Sequence, residues 1–180
     1  MTTTATVKVW DPLVRLFHWS LVICFAGNFL NEDGSDLHQF MGYTACGLIA
    51  FRILWGFIGS THARFSDWVP TPSKLIQYLK ALRAGHPPRY LGHNPAAAVM
   101  MLTLMSLILA LGVTGFMMGT DAFFGEEWLE ELHEAIAYGT LGLVGLHVLA
   151  AIVESRRHKE NLIVAMITGR KQVQDPTEQN

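Results

Sequence analysis

The chain has 180 residues, 51% of them hydrophobic and only 16% charged, with a formal charge of −2 at pH 7. Soluble domains carry about 25% charged residues, so this deficit and a mean hydropathy of +0.28 exclude disorder and point to a membrane, while the missing positive charge excludes recruitment of nucleic acid. The two cysteines, Cys24 and Cys46, lie in apolar runs with no CxxC or CxxCH, which excludes a disulfide framework, a cysteine zinc site and covalent haem.

Four apolar stretches have the roughly 17–25 residues that a bilayer-crossing helix needs. They lie at about 13–30, 37–58, 96–119 and 132–153. Asp11-Pro12 and Arg15 interrupt the start of the first, which lacks the basic start of a signal peptide and is expected to stay in the mature protein. Between the second and third, Ser73 is expected to cap a short amphipathic helix that stops at Gly85. Its Leu75, Ile76, Leu79 and Leu82 oppose a basic side, which predicts a helix lying on the inner leaflet. The third stretch has no charge at all, as no surface helix of a soluble bundle would. Segment 161–168 is a second, shorter candidate for the membrane surface. The expected fold is all-α: an integral membrane four-helix bundle forming one domain over 1–171, with a polar tail at 172–180.

Charge sets the expected orientation. Twelve of the thirteen basic residues fall in the N-terminal segment, the 59–95 connection and the C-terminal segment; the thirteenth, Arg52, lies inside the second stretch. The positive-inside rule then puts both termini and the long middle loop in the cytoplasm. The opposite face carries Glu32, Asp33, Asp36, Asp121, Glu126, Glu127, Glu130 and Glu131 and no basic residue.

Four of the eight histidines, His18, His38, His133 and His147, fall in the spans, where ionisable groups are costly and functional. At about 1.5 Å of rise per residue, His18 and His147 share a depth near the inner surface. His38 and His133 share one at the outer surface. His133 and His147 are 14 residues apart, so they face one way within about 40° and stand about 21 Å apart along the helix. Two pairs at two depths suit two haem irons, each held from both sides. A single zinc needs four ligands close together, which these pairs do not offer, and a proton relay would need acids well inside the spans. His62, His86 and His158 are read as solvated loop histidines.

Other residues extend the pattern. Arg52, 14 residues after His38, is at the inner pair's depth, where a haem propionate or a lipid phosphate would neutralise it; Arg15 has the same two readings. Gly42 is read as clearing space for a porphyrin. Gly112, Gly115 and Gly119 are read as a smooth wall against haem or a seam for helix packing, and Gly139, Gly142 and Gly145 as packing. Arg89, Tyr90 and His93, in the polar loop before the third span, are read as a quinone site at the inner haem.

Taken in order, several pieces resemble the bacterial cytochrome b561 / nickel-hydrogenase b-type cytochrome family. They are Val9-Trp10-Asp11-Pro12 with Arg15-Leu16-Phe17-His18-Trp19, Leu37-His38-Gln39 with Gly42 and Arg52, and the run Pro87-Pro88-Arg89-Tyr90-Leu91-Gly92-His93-Asn94-Pro95. Leu132-His133-Glu134, Gly145-Leu146-His147, Glu160-Asn161-Leu162 and Thr168-Gly169-Arg170-Lys171 complete the set. The resemblance covers roughly residues 7–171. It implies a membrane cytochrome with two non-covalent b haems, ligated at His18, His38, His133 and His147. Electrons would pass between the quinone pool and a redox partner, which argues for an electron-transfer subunit rather than a stand-alone enzyme. Partners in the family include hydrogenases and periplasmic c-type cytochromes, and some relatives oxidise superoxide. The lack of a fifth span counts against a hydrogenase here, and an outer face without basic residues counts against an anionic reductant such as superoxide. The acidic outer rim favours a c-type cytochrome. A haem-free assembly module is the alternative of another class, and the colour of the purified protein separates it.

Overall fold

The computed structural model describes residues 6–31 and 34–172. Four long helices carry the four apolar stretches: α1 (Pro12–Leu30), α2 (Asp36–Ile58), α5 (Pro95–Met118) and α6 (Glu127–Arg157). Each is long and apolar enough to cross a membrane. Between α2 and α5 lie a 3-10 turn (Thr61–Ala63), α3 (Phe65–Trp68) and α4 (Pro72–Arg83). After α6 comes α7 (Leu162–Thr168). Strand β1 (Thr6–Lys8) pairs antiparallel with β2 (Arg170–Gln172), opposing Val7 to Lys171. This basic end therefore holds both ends of the described chain. At the acidic end, the described residues outside the helices are 31, 34–35 and 119–126. Glu32 and Asp33 of the expected acidic rim, and all of the tail except Gln172, lie outside the described residues.

Caps explain where the helices begin. Asp11, Thr71 and Asn94 each accept a hydrogen bond from a backbone N–H in the first turn, and each is followed by proline at the first helical position, whose missing N–H costs nothing there. Ser35 caps α2 in the same way. Thr71, not Ser73, caps α4, because Pro72 already fits the first helical position. Helix α6 has no side-chain cap but carries Glu127 and Glu130 in its first turn and Arg156 and Arg157 in its last, complementing the helix dipole. This start extends α6 beyond the expected 132–153, so His133 sits nearly two turns inside it.

The core lies among α1, α2 and α5, where Phe17, Cys24, Ala45, Ile49, Met105 and Ile108 are buried together. Helix α6 stands further off: only 6% of its most apolar window is buried, although Leu129 and Thr140 are fully enclosed. A membrane helix needs no apolar partner on every side, since lipid solvates the rest. Helix α4 packs on α5, buries Tyr78 and leaves Ile76 and Leu79 exposed. A Cβ on Gly139, Gly142 or Gly145 would meet nothing within 4 Å, so these glycines of α6 do not serve the intrachain packing expected of them.

Candidate haem sites

At the acidic end, α2 and α6 bring His38 and His133 together, with ring centroids 6.2 Å apart. Both rings are oriented by hydrogen bonds through Nδ1. His38 Nδ1 lies 2.8 Å from the carbonyl oxygen of Asn31, which can only accept, so Nδ1 carries the proton. His133 Nδ1 lies 2.8 Å from Thr114 Oγ1. The Thr114 hydroxyl donates to its own helix, to Ala110 O (2.9 Å) and Leu111 O (3.1 Å), which leaves its oxygen to accept. In both rings Nε2 remains as the basic nitrogen. Two imidazoles bound across one metal at about 2 Å per bond have centroids roughly 6 Å apart, so this pair fits a six-coordinate haem iron.

The backbone around His38 is held as well. The Asn28 side-chain amide, turned to satisfy both groups, donates to His38 O (3.0 Å) and accepts from the Gly42 N–H (3.2 Å). Asn31 Nδ2 donates to Ser35 Oγ (2.7 Å), tying the turn to the α2 cap. Gly42 thus lies against Asn28, a Cβ there falling 3.5 Å from the side-chain amide. The α5 glycines divide their duties. A Cβ at Gly112 would collide with Cys46 Sγ, so Gly112 sets the α2–α5 approach. At Gly115 it would come 3.5 Å from His133 Cε1, an ordinary contact, so α5 passes directly beside that ring. Gly119 is the C-cap of α5.

At the basic end, α1 and α6 carry His18 and His147, within electrostatic reach of each other. His18 lies edge-on to Trp19 (5.0 Å), and its Nδ1 is buried without a hydrogen-bond partner. His93 is also within reach of His147. It is wedged between Trp10 (4.7 Å) and Trp68 (5.0 Å), with its Nδ1 unpartnered too. Burial first, then the charges of Arg52 and Lys171, push His93 down to about 3, so it is neutral in the cell. Arg52 is 1% exposed; it stacks on Phe65 (5.4 Å) and Trp68 (5.6 Å) and donates Nη2 to Ala63 O (3.0 Å). Its Nε and Nη1 have no partner. A buried cation with two idle donors is incomplete without an anion. A haem bound by His18 and His147 would supply one in its propionates. The donor sets therefore fit haem at both ends, two imidazoles each, with the cation required only at the basic end.

Three expected site residues have other tasks. Arg89 pairs with Glu160 (2.9 Å) and donates to Gln172 O (2.7 Å), binding the loop before α5 to the C-terminal strand. Tyr90 packs edge-to-face on Tyr78 of α4 (5.9 Å). Arg15 Nη1 donates to Thr168 O (3.1 Å) and so terminates α7, while its Nε stays buried and unpartnered. Of the histidines read as solvated, His62 bonds Asp67 (3.0 Å) and His158 lies 3.2 Å from Glu154. Thr114 and Asn28 were missed: each reads in sequence as one of several uncharged polar residues in apolar helices, and its partner is on another helix.

The prokaryotic cytochrome b561 family profile matches residues 9–169, nearly the whole chain. The chain belongs to this family. It is thus a multi-pass inner-membrane cytochrome b that carries electrons on haem b. Similar proteins include one from Bradyrhizobium diazoefficiens, 25% identical over 94% of this cytochrome and 87% of its own length. Those from Rhodobacter capsulatus and Cupriavidus necator are each 26% identical, over 94% and 93% of this cytochrome and 83% and 87% of their own lengths. All three are described as probable Ni/Fe-hydrogenase B-type cytochrome subunits. No solved structure is significantly similar to the cytochrome.

Proposed function

We propose that this cytochrome holds two b haems and carries electrons across the membrane between the quinone pool and a periplasmic redox protein. His38 and His133 ligate the haem at the acidic end, His18 and His147 the haem at the basic end. The observation that carries this reading is the His38–His133 pair, 6.2 Å apart with both Nδ1 atoms hydrogen bonded and both Nε2 atoms left as ligands. Bound haem supplies one-electron chemistry; the chain supplies the axial nitrogens, the counter-charge and a dry surround. Arg52 faces the propionates of the basic-end haem, with His93 beside it.

Orientation follows the charges: the basic end, with both termini, lies in the cytoplasm, and α4 rests Ile76 and Leu79 on the inner leaflet. Quinone reacts at the basic end beside His93; Arg89 and Tyr90 shape that loop rather than touch the ring. At the periplasmic face, Asp36, Asp121, Glu126, Glu127, Glu130 and Glu131 surround the His38–His133 pair and suit a partner with a basic face, such as a c-type cytochrome.

A hydrogenase is the second reading, favoured by the descriptions of the relatives. The chain spans 83–87% of the length of those relatives. An alignment of 216 positions nonetheless takes in only 94% of this 180-residue chain, so the Bradyrhizobium relative carries internal insertions that this one lacks.

Pyridine haemochrome quantitation with a reduced-minus-oxidised spectrum tests the haem count. Two haems per chain, both low-spin, are expected; one haem in fully loaded protein refutes the reading.

A further inference from the structure

Thr114 differs from the other hydroxyl residues of the spans. Thr44, Thr103, Ser106 and Thr140 each donate to a carbonyl one turn back, and no side chain donates to any of them. Thr114 makes the same back-bond but also meets His133 Nδ1 at 2.8 Å. It is buried, with 6% of its surface exposed. Gly115, the next residue, lies beside the His133 ring, a Cβ there falling at ordinary contact distance, 3.5 Å, from its Cε1. The bond is therefore formed across two helices, in an enclosed place, by a residue whose own proton is already committed.

We propose that Thr114 is the positioning residue for His133. Its oxygen takes the Nδ1 proton as a hydrogen bond, presents Nε2 to the iron, and lowers the reduction potential of that haem. The inference rests on His133 being a haem ligand. An imidazole that donates from Nδ1 is a stronger electron donor through Nε2 and favours the ferric state; outer-sphere partners of this kind shift metal-site properties by about 10–100-fold. His18 at the basic end has no such partner for its Nδ1, so the effect is confined to one haem.

The test is a potentiometric titration of the purified, haem-loaded full chain, reading each haem's spectral component. Thr114→Val keeps the shape and removes the acceptor. The acidic-end haem should then favour the ferrous state by about tenfold, a rise of ~59 mV for one electron, with the other haem unmoved. Thr114→Ser should restore the original value, and Thr114→Cys, a weak acceptor, should fall between, which keeps the test open if the valine variant does not accumulate. Selective loss of the acidic-end haem in the valine variant, recovered in the serine variant, would also support the proposal. An unchanged potential with both haems retained, or an equal shift in both, overturns it. His133→Ala separates the underlying reading: if that variant keeps both haems, His133 is not a ligand.

Discussion

The two ends of the bundle treat their histidines differently. At the acidic end the protein satisfies both imidazoles itself, through the Asn31 carbonyl and the Thr114 hydroxyl. At the basic end it leaves polar atoms waiting: His18 Nδ1, His93 Nδ1, and Nε and Nη1 of Arg52 are buried without partners. On the two-haem proposal, one site is organised before its cofactor arrives, whereas the other depends on its cofactor to neutralise it. A buried orphan is costly in isolation and stabilising once paired, so the basic end should gain more from haem than the acidic end does.

The largest expected effect tests whether the ends are separate sites. His147→Ala should lose the basic-end haem and keep the other, and His38→Ala should do the reverse, each halving the haemochrome yield. Loss of the same spectral component from both variants would merge the ends into one site. Next, Arg52→Leu should change sign with loading. In haem-loaded protein it should cost about 3 kcal/mol, as breaking a buried charge pair does; in haem-free protein it should be neutral or stabilising, since an unpaired buried cation is removed. Thermal unfolding of both forms checks this, and equal destabilisation of both would show that Arg52 is not waiting for an anion.

A smaller effect belongs to Asp11. Burial pushes its carboxyl up, but hydrogen bonds from Ser60, the Val14 N–H and Trp55 outweigh this and hold it below its ordinary value. With the folded value depressed, the stabilisation is full at neutral pH and lost as pH falls through the carboxylate range. Asp11→Ala should cost about 1–2 kcal/mol at pH 7, and the gap to the parent should narrow on acidification. The smallest effect is at the acidic rim. Neutralising Glu126, Glu127, Glu130 and Glu131 together should slow reduction or oxidation by a basic c-type cytochrome severalfold at low salt and hardly at all at high salt, where screening shortens to a few ångströms. A rate indifferent to both would leave the rim without a part in docking.

The sequence carries the frame of this arrangement because spans and histidine spacing are local. Runs such as 96–119 announce themselves by composition, and the 14-residue step from His133 to His147 fixes their common face. It does not carry the polar contacts between distant segments. Arg89 meets Glu160 across 71 residues and Arg15 meets Thr168 across 153; read alone, each arginine looks like a free cation seeking a ligand. Thr114 has the same difficulty, since a threonine in an apolar helix usually bonds only its own turn. The strands were invisible because three residues show no alternation long enough to read.

The pairing of β1 with β2 has a consequence in time. Val7 meets Lys171, and Gly169, held at a positive φ of 80°, receives the N–H groups of Val9 and Trp10. One partner of every such bond precedes or opens α1 and the other follows α7. The basic end, where α1 and α6 present His18 and His147, therefore cannot close until β2 has been synthesised. The His38–His133 pair needs only the chain as far as α6. A cytochrome built this way completes its acidic end before its basic end, so maturation has a direction set by the clasp of β1 on β2.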